Sequence, residues 1–168
     1  FFRTVLQGPG QPGWLRILCF GVGGYAIALP VVFGVTLLLD SVLGQPPVSE
    51  NPLISILLET HSPIRRLTLL LTVAIIAPIF EELIFRGVLM PTLRRRIGAV
   101  GAIFLSGLIF AFIHLDLLVI IPLTALGCIL GAVTYRSGSL LPAVVLHALW
   151  NAQSFLHIEL LRWMAWSG

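Results

Sequence analysis

The sequence predicts an all-α fold: a polytopic transmembrane helix bundle of about five to six spans around a polar intramembrane cavity. Three observations predict it. The 168 residues are 58% hydrophobic and only 10% charged, against about 25% charged in soluble domains. Mean hydropathy is +1.04, too apolar for a chain that must cover its surface with polar groups in water. The apolar residues also fall into long runs, each near the roughly 20 residues a helix needs to cross a bilayer. Such runs far exceed the roughly ten-residue alternating strands of a membrane barrel.

The elements follow in order within one transmembrane domain, residues 1–168. Residues 1–16 form an N-terminal arm, loop-like where Gly8, Pro9, Gly10, Pro12 and Gly13 cluster. Ile17 to Leu39 is 23 residues without a charge, a first span. It is too long for a signal-peptide core, so no cleavable signal is expected. Asp40 to Arg66, with Pro46, Pro47, Pro52 and Pro63, reads as an aqueous loop, Leu53 to Leu58 as a short surface helix within it. Residues 67–156 form the motif-bearing core. A second span starts at Leu67 and ends at Arg94, Arg95 and Arg96. Ile97 to Ile113 is a third, Leu117 to Tyr135 a fourth, and Leu140 to Leu156 a fifth. Arg136 to Gly138 is a tight turn between the last two. His157 to Trp166 is an interfacial tail, since Trp163, Trp166 and Arg162 suit the headgroup layer.

All 10 basic residues are Arg, against 7 acidic ones. They are scattered, so no nucleic-acid stripe is present; the bilayer is the expected partner. Arg3, Arg16, Arg94, Arg95, Arg96 and Arg136 fall on one face, and Arg65, Arg66 and Arg162 on the other. The positive-inside rule then makes the first face, with the N-terminus, cytoplasmic. Cys19 and Cys128 read as small buried hydrophobes.

Ionisable residues inside apolar spans are functional candidates by default, because burying them in lipid is costly. Glu82 and Arg86 stand at i and i+4, placed for an ion pair that also serves as a helix clamp. Glu81 lies about 100° round the helix with no local partner, suited to a general base. His114 closes the third span, where it is either functional or merely interfacial. Asp116 follows, to orient it or mark the membrane boundary. His147 and Asn151 share one face of the fifth helix. They suit an oxyanion hole or interhelical hydrogen bonding. His61 and His157 read as solvated. Together the set suits water activation and amide hydrolysis. It equally contains the His and Glu donors that a zinc ion would accept, so no cofactor is assigned and a zinc ion at the Glu/His cluster stays open.

The three motifs, Glu81-Glu82-x-x-x-Arg86, Phe110-x-x-x-His114 and His147-x-x-x-Asn151, resemble the CAAX protease and bacteriocin-processing family of intramembrane proteases, also called Abi. The resemblance covers roughly residues 67–156. It implies a cavity open to the cytoplasm or the membrane. By similarity, Glu81 with His114 activates water, His147 and Asn151 stabilise the oxyanion, and Glu82 with Arg86 supports the first site. The expected substrate is a membrane-associated or prenylated peptide or protein. The alternative is a non-catalytic member acting as a scaffold or assembly factor in a membrane-protein complex. Depth arithmetic along the helices further predicts that the second helix projects beyond the bilayer before its Arg cluster.

Overall fold

The computed structural model describes residues 13–44 and 52–167. Most of the expected N-terminal arm, with Arg3, and the middle of the Pro-rich loop, with Pro46, Pro47 and Glu50, lie outside the described residues.

No strand occurs among the described residues. Helix α1 is Trp14–Leu43 and α2 is Pro52–Glu59. Helix α3, Pro63–Leu71, continues through a π-helical turn at Thr72–Ile76 into α4, Ala77–Glu82. A second π-helical stretch, Leu83–Leu89, leads into α5, Met90–Phe112. A 3₁₀ turn at Leu117–Val119 precedes α6, Ile120–Ser137, and α7 is Leu141–Ser167.

Each π stretch ends two residues before a proline, Pro78 or Pro91. Proline has no N–H, and its ring crowds the carbonyl four residues back. Widening the helix relieves that crowding. Ala77 N–H accordingly bonds Thr72 O, and Met90 N–H bonds Phe85 O, both five residues back.

Three helical segments are long and apolar enough to cross a membrane: Trp14–Leu43, Pro63–Phe112 and Leu117–Ser137. This is fewer than the five to six spans expected, for two reasons. The expected second and third spans are joined. Arg94, Arg95 and Arg96 do not end the helix, because arginine is a good helix former. The path breaks at Gly98 instead, with φ 74° and ψ 178°, a conformation open to glycine and strained for other residues. The expected fifth span and interfacial tail are likewise a single helix, α7, since no Pro or Gly interrupts Ala143 to Ser167. His147, Asn151, Gln153 and His157 lower its hydropathy below that of the other three.

Helix α6 is the most enclosed of the three apolar segments, with 44% of its apolar window buried. Leu126, Leu130 and Val133 pack with Ala28 and Val32 of α1 and Ala143 and Leu146 of α7. Glycine permits the closest contacts. A Cβ on Gly24 would lie 2.6 Å from Leu146, and one on Gly127 would lie 2.7 Å from the Gly107 Cα. Gly138 ends α6 in the left-handed conformation, its N–H bonded to Thr134 O, as the expected turn requires.

Large apolar side chains cover the outside, including Leu37, Phe80, Val100 and Phe112. A water-soluble monomer rarely exposes so much contiguous apolar surface; lipid is the solvent that suits it. Cys19 corrects its expectation for the same reason. It is exposed rather than buried, and Cys128 is half-buried, since a small apolar side chain can face lipid freely.

Candidate active site

The six candidate residues come from α4 and the π-helical stretch after it, the turn that follows α5, and α7. Glu82 and Arg86 form the expected ion pair, Oε1 to Nη1 at 2.9 Å, with both side chains fully buried. Arg86 is also fixed on a third helix. Its Nη2 donates to Gly127 O at 2.9 Å, where the Gly107–Gly127 contact brings α5 and α6 backbones together. The guanidinium also stands 4.9 Å from the Phe110 ring centre.

His147 lies between the two glutamates. Its Nδ1 is 2.9 Å from Glu82 Oε1 and its Nε2 is 3.6 Å from Glu81 Oε2. The first distance is a hydrogen bond; the second is an ion-pair approach. With Nδ1 turned to Glu82, Nε2 is the ring nitrogen that faces Glu81. Glu81 has no partner on its own helix; its buried Oε2 approaches His147 across the bundle without a hydrogen bond. The neighbouring carboxylates differ in access: the Glu81 side chain is 26% exposed and that of Glu82 is 0% exposed.

Glu81, His114 and Asn151 line one cavity of 370 Å³. His147 is buried behind Glu81. The remaining walls are mainly apolar, from Leu57 of α2, Leu69, Val73 and Ala77, and Phe155 and Ile158 of α7. Helix α2 is therefore more than a surface helix, since Leu57 is buried and forms part of the wall. The cavity extends from Glu81 toward Leu69 and Ile158, away from the Arg94–Arg96 end.

Phe110 joins the motifs. Its ring is edge-on to His114 at 4.8 Å, His147 at 5.6 Å and Phe85 at 5.4 Å. His114 Nδ1 is 2.8 Å from Phe110 O, which leaves Nε2 as the other polar atom of the ring. Asp116 accepts from Leu118 N–H at 3.1 Å, capping the 3₁₀ turn. Leu115, between His114 and Asp116, takes a positive φ of 55° as the chain reverses.

Asn151 has a contact that its spacing alone did not reveal. Its Nδ2 donates to Val73 O at 2.9 Å. In the π-helical register, the N–H five residues after Val73 would belong to Pro78, which has none. Ala77, four residues after, has its N–H on Thr72 O. Val73 O is thereby left for Asn151, and Pro78 was the readable signal. Ser154, Phe155 and Ile158 were also missed. They continue the Asn151 face of α7 into the part expected to be a tail.

Other contacts tie α7 to α1 and to the segment around α2 and α3. Arg66 pairs with Glu159 at 2.5 Å, Arg162 Nη1 donates to Thr60 O at 2.9 Å, and Tyr25 donates to Gln153 at 2.7 Å. Arg162 Nη2 also lies 3.4 Å from His61 Nδ1, so His61 is not simply solvated. Among the described residues, no three His, Cys, Asp or Glu side chains are grouped as a metal site. Both His147 nitrogens already face carboxylates.

No curated protein and no solved structure gives a significant match to the chain. A family match does, over residues 63–153, to the family described as type II CAAX prenyl endopeptidase Rce1-like. The match begins at the first residue of α3 and ends two residues beyond Asn151, so it includes all three motifs. The chain belongs to the Rce1-like family of type II CAAX prenyl endopeptidases, within the CAAX protease and bacteriocin-processing group.

Proposed function

We propose that the protein is an intramembrane endopeptidase that uses Glu81 to activate water against a peptide bond of a membrane-associated or prenylated-type substrate. The observation that carries this reading is the shared cavity of Glu81, His114 and Asn151, with His147 against the back of Glu81. Glu81 takes a proton from water positioned with His114, and the resulting hydroxide attacks the carbonyl carbon. The second amide hydrogen of Asn151 donates to the oxyanion. The C–N bond then breaks, and Glu81 returns the proton to the leaving amine. His147 holds Glu81 in place and is held in turn by the buried Glu82–Arg86 pair. His147 orients a carboxylate in place of donating directly to the oxyanion, because both its nitrogens face glutamates. It requires no metal.

The membrane arrangement is part of the proposal. Pro63–Phe112 spans 50 residues, about 75 Å if straight and over twice the ~30 Å hydrocarbon core. The Gly98 break divides it into two crossings, the first projecting beyond the bilayer at its Arg cluster. Helix α7 crosses with its polar face inward, which gives five crossings. The N-terminus and Arg94–Arg96 lie in the cytoplasm, and the cavity opens toward the opposite leaflet or sideways into lipid.

Cleavage of candidate farnesylated and unmodified membrane peptides by purified protein tests the reading. Glu81→Ala and His147→Ala are expected to lose product formation while remaining folded. Full activity in both variants would defeat it. A wild-type protein that cleaves nothing but co-purifies with a membrane partner would favour the scaffold alternative. Stoichiometric zinc on elemental analysis would overturn the metal-free mechanism.

A further inference from the structure

A second cavity, of 430 Å³, lies on the outer surface between α1 and α6, apart from the proposed active site. Its walls are apolar or small, among them Phe20, Gly23, Ile27 and Ile129. One charged residue lines it, Arg136. The helices run antiparallel here: Gly24 approaches Val133, so Phe20 lies toward Arg136 and Ile27 toward Ile129. Arg16 reaches the same end, its guanidinium 5.7 Å from the Phe20 ring centre. Arg94 stands 5.2 Å from the ring centre of Tyr135, the residue before Arg136. No ion pair among the described residues involves Arg16, Arg94 or Arg136. The described acidic residues belong to other parts of the bundle: Glu81 and Glu82 at the active site, Asp40, Glu59, Asp116 and Glu159 toward the opposite end.

We propose that this groove is a binding site for one anionic phospholipid. An acyl chain lies along the groove past Gly23 toward Ile27, and the headgroup phosphate sits between Arg16 and Arg136. Two features of the groove support that occupant. The apolar length suits a hydrocarbon chain, and the cationic end lies at the helix termini, where a headgroup belongs. Guanidiniums near an anionic leaflet attract such lipids, and arginine is suited to phosphate recognition. The groove of 390 Å³ between Leu71 and Leu149 has no charged lining residue, so it lacks the feature that selects a headgroup. The inference does not depend on the protein being a protease.

Native mass spectrometry of the full chain, loaded with equal phosphatidylglycerol and phosphatidylcholine of matched chains, tests the site. The wild type is expected to retain phosphatidylglycerol preferentially as a single tight adduct. Arg16→Gln with Arg136→Gln is expected to cut that preference about 25-fold, taking roughly fivefold per guanidinium. Gly23→Phe provides an independent test, because a Cβ there meets nothing within 4 Å and the ring would occupy the groove. It should displace the adduct whichever headgroup is offered, with helicity unchanged. Equal retention of the two lipids by the wild type would overturn the proposal, as would an adduct unaffected by Gly23→Phe. Full competition by soluble glycerophosphate would also overturn it, since that would indicate a free-anion site without an acyl chain.

Discussion

Glu81 and Glu82 are adjacent in sequence but occupy different surroundings. Glu82 is fully buried, and its Oε1 serves both Arg86 and His147. Glu81 is partly accessible and borders the cavity. The i,i+4 spacing was sufficient to anticipate the Glu82–Arg86 pair. The Glu81–His147 approach was not legible, because it depends on how two distant helices are rotated against each other. Replacing Arg86 by Met should leave Glu82 as an uncompensated buried charge. Breaking such a pair from one side typically costs about 3–5 kcal/mol. Thermal unfolding in detergent should show this loss, and adding Glu82→Gln should recover part of it. An Arg86→Met protein as stable as the wild type would mean that the pair contributes no net stability. Glu81→Gln, by contrast, should leave the melting temperature nearly unchanged.

At the scale of elements, the two proline-linked π turns and the Gly107–Gly127 crossing position the site. The prolines were visible in the sequence, but their effect on the carbonyls was not, because it appears only once the helix register is known. Pro78→Ala would supply an N–H able to compete with Asn151 for Val73 O. Cleavage should fall by about 10- to 100-fold, the scale on which small displacements cost rate, with stability preserved. Unchanged activity in Pro78→Ala would remove Asn151 positioning from the account. Gly127→Ala would force its methyl to within 2.7 Å of the Gly107 Cα. Separating α5 from α6 should cost about 1–3 kcal/mol, as overpacking does elsewhere, and should move the carbonyl that holds Arg86. A melting temperature matching the wild type would show that the two helices have room to spare.

For the whole molecule, composition alone indicated a helical membrane protein, because the requirement to hydrogen-bond every backbone group in lipid leaves few alternatives. Span boundaries were less legible. Hydropathy does not distinguish a charged stretch that ends a helix, as expected at Arg94–Arg96, from one that continues it to Gly98. The proposed orientation rests on the Arg distribution and the positive-inside rule. With Cys19 and Cys128 replaced by Ala, a cysteine at Arg95 should react with an impermeant maleimide only after cells are opened. One at Leu115, which is 91% exposed, should react in intact cells. The reverse pattern would place the cavity mouth in the cytoplasm and invert the proposed topology.

The central chemical claim, that Glu81 delivers water to a peptide carbonyl, is tested most directly by cleavage in ¹⁸O-labelled water, with mass spectrometry of the products. The wild-type protein in vesicles should place one ¹⁸O in the new carboxyl terminus. Folded Glu81→Gln should form product at least about 100-fold more slowly, the lower range for loss of a general base. Cleavage by Glu81→Gln at the wild-type rate would contradict the claim.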